Sequence, residues 1–489
     1  MSWSPPDFRL YISPVSSYNR PHTTIQGEKS FLALVPANPR TSTSLFSVMP
    51  TNLLLINCLL LAHAADRQLS YLLVRDGKIA AIGPMAACPL PDGMATIDGD
   101  GNLVLPGLIN GHNHCAMTLF RGMADDLELS DWLYNHIFPA EAAHVNPEMV
   151  YWCTLLAAAE MISSGTTSVA DGYFFSATAA EALRDAGMRA VVAHGIVDFP
   201  APSVPDPSKN IETVEGFLRH WQGRSSLITP AVFAHAPYTC SPRTLRRAKE
   251  LADRYGTKFF IHAAETANEQ ATVIDPQGPT PLQHLATLGI LDAHTVLVHG
   301  VWLDGPDLDI LAASGAAVVT CPQSNLKLGA GIAPVPQMLS RNIPVGLGTD
   351  GCASNNSLDL FREMDLLAKL HKATVRDATA LPASRVLSCA TKGGASVLGL
   401  TGCGTISEGA AADLVLVAID QPHLTPFFNS DLLVYAASGA DVRSVIIDGR
   451  LVMRDRQIVS FDVAATMQRV CAMAARSKHS VRRRPKTEN

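Results

Sequence analysis

An α/β fold of the (β/α)8 TIM-like barrel type, carrying a small β-sandwich made from the N- and C-terminal segments, is what this sequence predicts on three observations. Eight short apolar runs recur between Val104 and Asp350, and stretches with helical spacing alternate with them. Five of those runs (the first, fourth, fifth, sixth and eighth) deliver a His or Asp to what in such a barrel would be one rim. Hairpin-like strands with turn residues flank the repeat on both sides.

Taken in order, residues 1–48 are rich in Ser, Pro, Thr and Arg without helical or strand periodicity, and are expected to be a disordered extension. The apolar stretch Leu53 to Ala64 reads as a strand, because it lacks a basic flank and is too short to span a bilayer. Ser70–Val74 and Lys78–Gly83 surround the turn dipeptide Asp76-Gly77, so residues 49–105 are expected to form the first part of the sandwich. Ala412–Val417 and Ser444–Arg450 have the same texture and assign its second part to 405–460. Residues 461–489 are expected to be a C-terminal helix and a basic, solvated tail.

The barrel is assigned to residues 106–404, with its first strand starting just before them. Its strands are expected at Val104–His114, Thr166–Asp171, Ala190–His194, Ile228–His235, Lys258–His262, Thr295–His299, Ala316–Thr320 and Pro344–Asp350. Helical spacing is clearest at Glu148–Ser164, Thr244–Tyr255 and Ala333–Arg341. Strand one therefore delivers His112 and His114, whose spacing places both on one side of an extended chain. Strand four delivers His235, strand five His262, strand six His299 and strand eight Asp350.

Three imidazoles (His112, His114, His262) and the Asp350 carboxylate form a donor set for one divalent metal ion, zinc foremost, with ferrous iron as the alternative. Such an ion lowers the pKa of water toward neutrality. Asp350 could also take a proton from that water, and Glu265, three residues after His262, could shuttle one to a ring nitrogen. His299 could polarise the metal-bound hydroxide or steady a developing oxyanion.

Composition narrows the remaining possibilities. The chain has 489 residues, 47% hydrophobic and 17% charged, with a net charge of −6, which gives no reason to expect nucleic acid or an acidic membrane as partner. Ten scattered cysteines without a Cys-x-x-Cys pair fit a reducing cytoplasm. Neither a phosphate-binding G-x-x-x-x-G-K-[ST] loop nor an H-E-x-x-H helix is present, and the H-x-E plus P-C-x-x-C signature of small zinc deaminases is missing.

The run Pro106-Gly107-Leu108-Ile109-Asn110-Gly111-His112-Asn113-His114, with His262-Ala263-Ala264-Glu265, His299-Gly300 and Gly348-Thr349-Asp350, resembles the amidohydrolase superfamily. Within it the sequence is similar to the 5-methylthioadenosine/S-adenosylhomocysteine deaminases of the triazine hydrolase and deaminase branch. That likeness rests on His136-Ile137-Phe138-Pro139-Ala140-Glu141, on Cys321-Pro322-Gln323-Ser324-Asn325-Leu326-Lys327-Leu328 and on Gly348 to Asn356. It implies metal ligands at His112, His114, His262 and Asp350, and hydrolytic roles for Glu265, His299 and Asp350. It also implies substrate contacts from Glu141 (to ribose hydroxyls), His235, Glu265, Asp350 and Ser354.

Where some family members carry an arginine for a substrate carboxylate, this chain reads Ser208-Lys209-Asn210, and Lys209 lacks the bidentate fork. The expected activity is hydrolytic deamination of an adenine nucleoside, 5′-methylthioadenosine ahead of S-adenosylhomocysteine and adenosine, by a cytoplasmic homo-oligomer. The alternatives are an aminohydrolase or chlorohydrolase of another N-heterocycle (s-triazine, pterin, 8-oxoguanine) and, remotely, a non-catalytic scaffold.

Overall fold

Period-two alternation in the N-terminal segment produces β1 (Leu53–Leu60), β2 (Leu69–Arg75), β3 (Lys78–Pro84), β4 (Ala95–Asp98) and β5 (Leu103–Pro106). The computed structural model describes residues 52–61, 67–91 and 93–481, with side chains to 476; the expected disordered extension 1–48 and the basic tail beyond 481 lie outside these residues. Eight strands follow: β6 (Leu108–Asn113), β7 (Thr166–Tyr173), β8 (Arg189–Ile196), β9 (Ile228–Ala234), β10 (Phe259–Ala263), β11 (Thr295–His299), β12 (Ala317–Thr320) and β13 (Val345–Leu347). They pair in parallel, in sequence order, as the wall of the (β/α)8 barrel. Helices such as Pro147–Ser163 and Pro242–Tyr255 alternate with them.

The chain then returns to the small sandwich with β14 (Leu414–Val417), β15 (Val442–Ile447), β16 (Arg450–Arg454) and β17 (Gln457–Ile458). β14 lies antiparallel to β5, with Val417 opposite Leu103, so one hydrogen-bonded path of strands unites both ends of the described chain. Alternation sorts its side chains. Val104, Leu414 and Leu416 join Leu55, Leu72 and Ile79 in the sandwich core, while Leu103, Leu105, Val415 and Val417 pack into the main core. Helix Val463–Val481 closes the described chain.

The single first strand read from the sequence is in fact two. Leu103–Pro106 belongs to the sandwich and Leu108–Asn113 to the barrel, with Gly107 between them. A Cβ at Gly107 would fall 2.0 Å from Thr167 Oγ1, so no larger residue fits this crossing without displacement. The last barrel strand is also shorter than the apolar run suggests, because the chain leaves the ladder after Leu347 to form the turn that carries Asp350.

Inside the barrel, Ile109, Val191, Phe233, Phe260, Val298 and Val319 fill the lower interior. Its seam joins β13 to β6. The Asp350 amide donates to His112 O at 3.1 Å, and Asn110 receives Thr349 N at 3.1 Å while donating to Thr349 Oγ1 at 2.7 Å. This seam therefore places the residues of strands one and eight side by side. No helix among the described residues is long and apolar enough to cross a membrane.

Candidate active site

Two backbone devices aim the rim residues inward. His235 and His262 each follow an inward-facing phenylalanine by two positions (Phe233, Phe260), so strand alternation alone points them along the barrel axis. His299 and Asp350 instead have positive φ values of 75° and 60°, and this left-handed backbone turns their side chains toward the axis.

His112, His114 and His262 each offer a ring nitrogen within 4.8 Å of the others. The Nε2 atoms of His112 and His262 face one another at 3.2 Å, and Asp350 Oδ1 lies 3.4 Å from Nε2 of both His112 and His114. Burial pushes His112 down to about 4 and His262 well below the usual imidazole range, so both rings are neutral. Burial alone would raise Asp350, but the His112 and His114 rings hold its carboxyl well below the usual carboxylate range. His114 Nδ1 donates to Gly172 O, which leaves Nε2 as the lone-pair nitrogen. Three ring nitrogens gathered this closely, completed by one carboxylate oxygen, fit a divalent ion of zinc type.

Around this cluster stand further titratable groups. Glu265 is buried beside His299, with Oε1 3.6 Å from His299 Nε2. Burial raises its carboxyl pKa, and the Asp350 charge adds to that while His299 opposes it. His299 Nδ1 donates to Asn325 Oδ1 at 2.8 Å. His235 Nδ1 meets Thr239 Oγ1 at 2.9 Å, and since that hydroxyl donates to Ala236 O, His235 Nδ1 is the donor and Nε2 is left as an acceptor.

A cavity opens above the cluster, reached by His114, His235, His262, Glu265, His299 and Asp350. Its outer wall is apolar: Leu129, Trp132, Leu133, Ile137 and Phe138 come from the loop after β6, including a wide π-type turn, Trp132–Ile137. Glu141 projects from the helix Phe138–His144 into this wall and is buried, with Tyr173 Oη donating to its Oε1 at 2.7 Å. Burial raises the Glu141 carboxyl to about 7. No Lys or Arg of the described residues lines the cavity. Lys209 is exposed and pairs with Glu212 at 3.0 Å.

The structure thus gathers His112, His114, His235, His262, Glu141, Glu265, His299 and Asp350 around one cavity, His112 behind it in the cluster. Ser354 does not line that cavity; it is buried and donates to Asp350 Oδ2 at 2.7 Å. Sequence reasoning missed Tyr173, Ser324 and Asn325. Ser324 and Asn325 lie in the run Cys321–Leu328, where sequence pattern assigns them no chemistry, and Tyr173 lies two residues past the expected end of the second strand at Asp171.

A metal-assisted hydrolase is the class that this barrel and donor set define. The chain belongs to the amidohydrolase family, whose profile matches residues 103–452. It is 49% identical over 400 residues to a 5-methylthioadenosine/S-adenosylhomocysteine deaminase of Syntrophobacter fumaroxidans, covering 81% of this chain and 91% of the relative. A 5′-deoxyadenosine deaminase of Methanosarcina mazei is 42% identical over 401 residues, covering 82% of this chain and 91% of that relative. Among solved structures, an adenosine deaminase from Xanthomonas campestris with bound zinc superposes with a TM-score of 0.82 at 35% identity, covering 88% of this chain and 99% of that one.

Proposed function

We propose that this protein hydrolyses the exocyclic amine of an adenine nucleoside, 5′-methylthioadenosine foremost, releasing ammonia and the inosine analogue. The observation that carries this reading is the pairing, in one cavity, of the metal-type donor cluster with a buried carboxylate apart from it, Glu141, set in an apolar wall. A ring to be hydrolysed belongs over the cluster. Two adjacent sugar hydroxyls suit a carboxylate that accepts from both. The names of the relatives above support the same choice.

His112, His114, His262 and Asp350 would hold one divalent ion, zinc foremost and ferrous iron second, which supplies Lewis-acid polarisation and a water acidic enough to react near neutral pH. The other steps belong to side chains. Glu265, whose carboxyl pKa burial raises, presents a proton to the ring nitrogen N1. Asp350 Oδ1 takes a proton from the attacking water and returns it to the leaving amine, and His299 Nε2, its lone pair facing the same space, polarises that water. Glu141 orients the sugar, with one oxygen already held by Tyr173, while His235 Nε2 accepts from the substrate. Ser354 serves the substrate through Asp350.

The apolar outer wall without a cation favours a neutral 5′-substituent over the amino-acid tail of S-adenosylhomocysteine. The wholly or partly buried free thiols, Cys471 alone being exposed, fit the proposed cytoplasmic setting, and light scattering will read the expected homo-oligomer. The test is an ammonia-release screen of zinc-loaded protein against methylthioadenosine, S-adenosylhomocysteine, adenosine, s-triazines and pterins, repeated with Glu141→Ala. Loss of turnover in the variant for ribosides alone supports the reading. Turnover only of rings without ribose, unaffected by Glu141→Ala, would replace it with the N-heterocycle alternative.

A further inference from the structure

The seventh barrel strand, β12, ends without a His or an acid, yet the helix that follows it, Pro322–Lys327, sends two consecutive side chains into the site. Ser324 Oγ donates to Asp350 Oδ2 at 2.7 Å, and Asn325 Oδ1 accepts from His299 Nδ1 at 2.8 Å; both residues are buried. The topology explains the pairing. β12 lies between β11, which ends in His299, and β13, which leads to Asp350. Neighbouring residues of a helix diverge by about 100°, so a Ser-Asn pair above the seventh strand addresses both flanking strands at once.

We propose that Ser324 and Asn325 are positioning residues of the hydrolytic site: Ser324 fixes which oxygen of Asp350 faces the histidines, and Asn325 fixes the ring plane and tautomer of His299. On Asp350, Oδ2 takes the hydroxyls of Ser324 and Ser354, both at 2.7 Å, which leaves Oδ1 to the Gly351 amide and the His112–His114 side. On His299, a proton held at Nδ1 by an amide oxygen makes Nε2 the lone-pair nitrogen toward Glu265.

The helix is itself held in register with the Asp350 turn. Buried Glu363 accepts from Gln323 N at 3.0 Å and Gln323 Nε2 at 2.8 Å, and from Asn355 Nδ2 at 2.6 Å; Asn355 also donates to Thr349 O at 2.7 Å. One buried carboxylate therefore ties the helix that carries Ser324 to the turn that carries its partner. An apolar pair would pack here without the cost of burying polar groups.

The assay rests on the deamination reading, so a second readout independent of activity is paired with it: zinc affinity, by competition with a chelator. Ser324→Ala is expected to weaken zinc binding and to lower kcat, each roughly 10–100-fold, with KM for methylthioadenosine nearly unchanged. Ser324→Thr keeps the hydroxyl and should recover most of both. Asn325→Ala should lower kcat without changing zinc affinity, since its partner is not a ligand. Wild-type melting temperatures in all three exclude simple unfolding. Unchanged zinc affinity in Ser324→Ala, or a loss in Asn325→Ala that falls on KM alone, would overturn the proposal. Should the wild type turn over no nucleoside, the substrate reading fails while the zinc measurement still decides the role of Ser324.

Discussion

Glu141 shows what one buried side chain costs and supplies. Its carboxyl rises from the ordinary 4.5 to about 7 because it is buried, so the fold favours the protonated form. Stability from this group is fully present below about pH 4.5 and is lost as pH rises through about 7, by up to roughly 3 kcal/mol. Glu141→Gln cannot ionise and keeps an oxygen for Tyr173. It is expected to melt like the wild type at pH 5 and several degrees higher at pH 8, while KM for ribosides rises. In the wild type, KM for adenosine should rise as pH falls below about 7, because only the carboxylate accepts from both sugar hydroxyls. A flat KM profile from pH 5.5 to 8.5 would separate Glu141 from the sugar. The metal-type residues were legible in the sequence because each closes an apolar run. Tyr173, Ser324 and Asn325 were not, since their partners lie on elements distant in sequence and nothing local marks the contact.

At the scale of elements, the crossing from sandwich to barrel turns on Gly107. With Thr167 Oγ1 at 2.0 Å and Thr167 Cγ2 at 2.3 Å from an added Cβ, Gly107→Ala should cost at least about 1–3 kcal/mol. A lower melting temperature, partly restored by adding Thr167→Ala, is the expected result; an unchanged one would mean that the two strands part without cost. Sequence periodicity found the strands on either side but could not find this break, because the apolar run continues through it from Leu103 to Ile109. The inward turns at His299 and Asp350 were hidden for a similar reason. Positive φ at a non-glycine residue leaves little trace in a single sequence. Helix starts were read less sharply: periodicity begins one helix at Thr244, whereas Ser241 caps it and it runs Pro242–Tyr255.

At the scale of the whole molecule, barrel and sandwich are locked by a charge. Arg189, at the start of β8, grips Asp413 with two bonds, 2.6 Å and 3.1 Å, and reaches Asp448 at 3.1 Å. Arg189→Ala would leave the buried Asp413 carboxylate unpaired and should cost about 3–5 kcal/mol in urea unfolding, with Arg189→Lys in between for want of the fork. A loss below 1 kcal/mol would show that the two parts hold together without it. The barrel was legible from its eight repeats. The identity of the strands that join its two flanking segments, β5 and β14, was not, because their pairing spans more than 300 residues of chain.

The most direct test follows the conversion of 5′-methylthioadenosine by the zinc-loaded protein, with ammonia and the inosine analogue quantified together, beside Glu265→Gln. Stoichiometric formation of both products, abolished by removing zinc and reduced at least roughly 100-fold in kcat by Glu265→Gln, is the expected result. A metal-replete wild type that releases no ammonia from methylthioadenosine, adenosine or S-adenosylhomocysteine would contradict it.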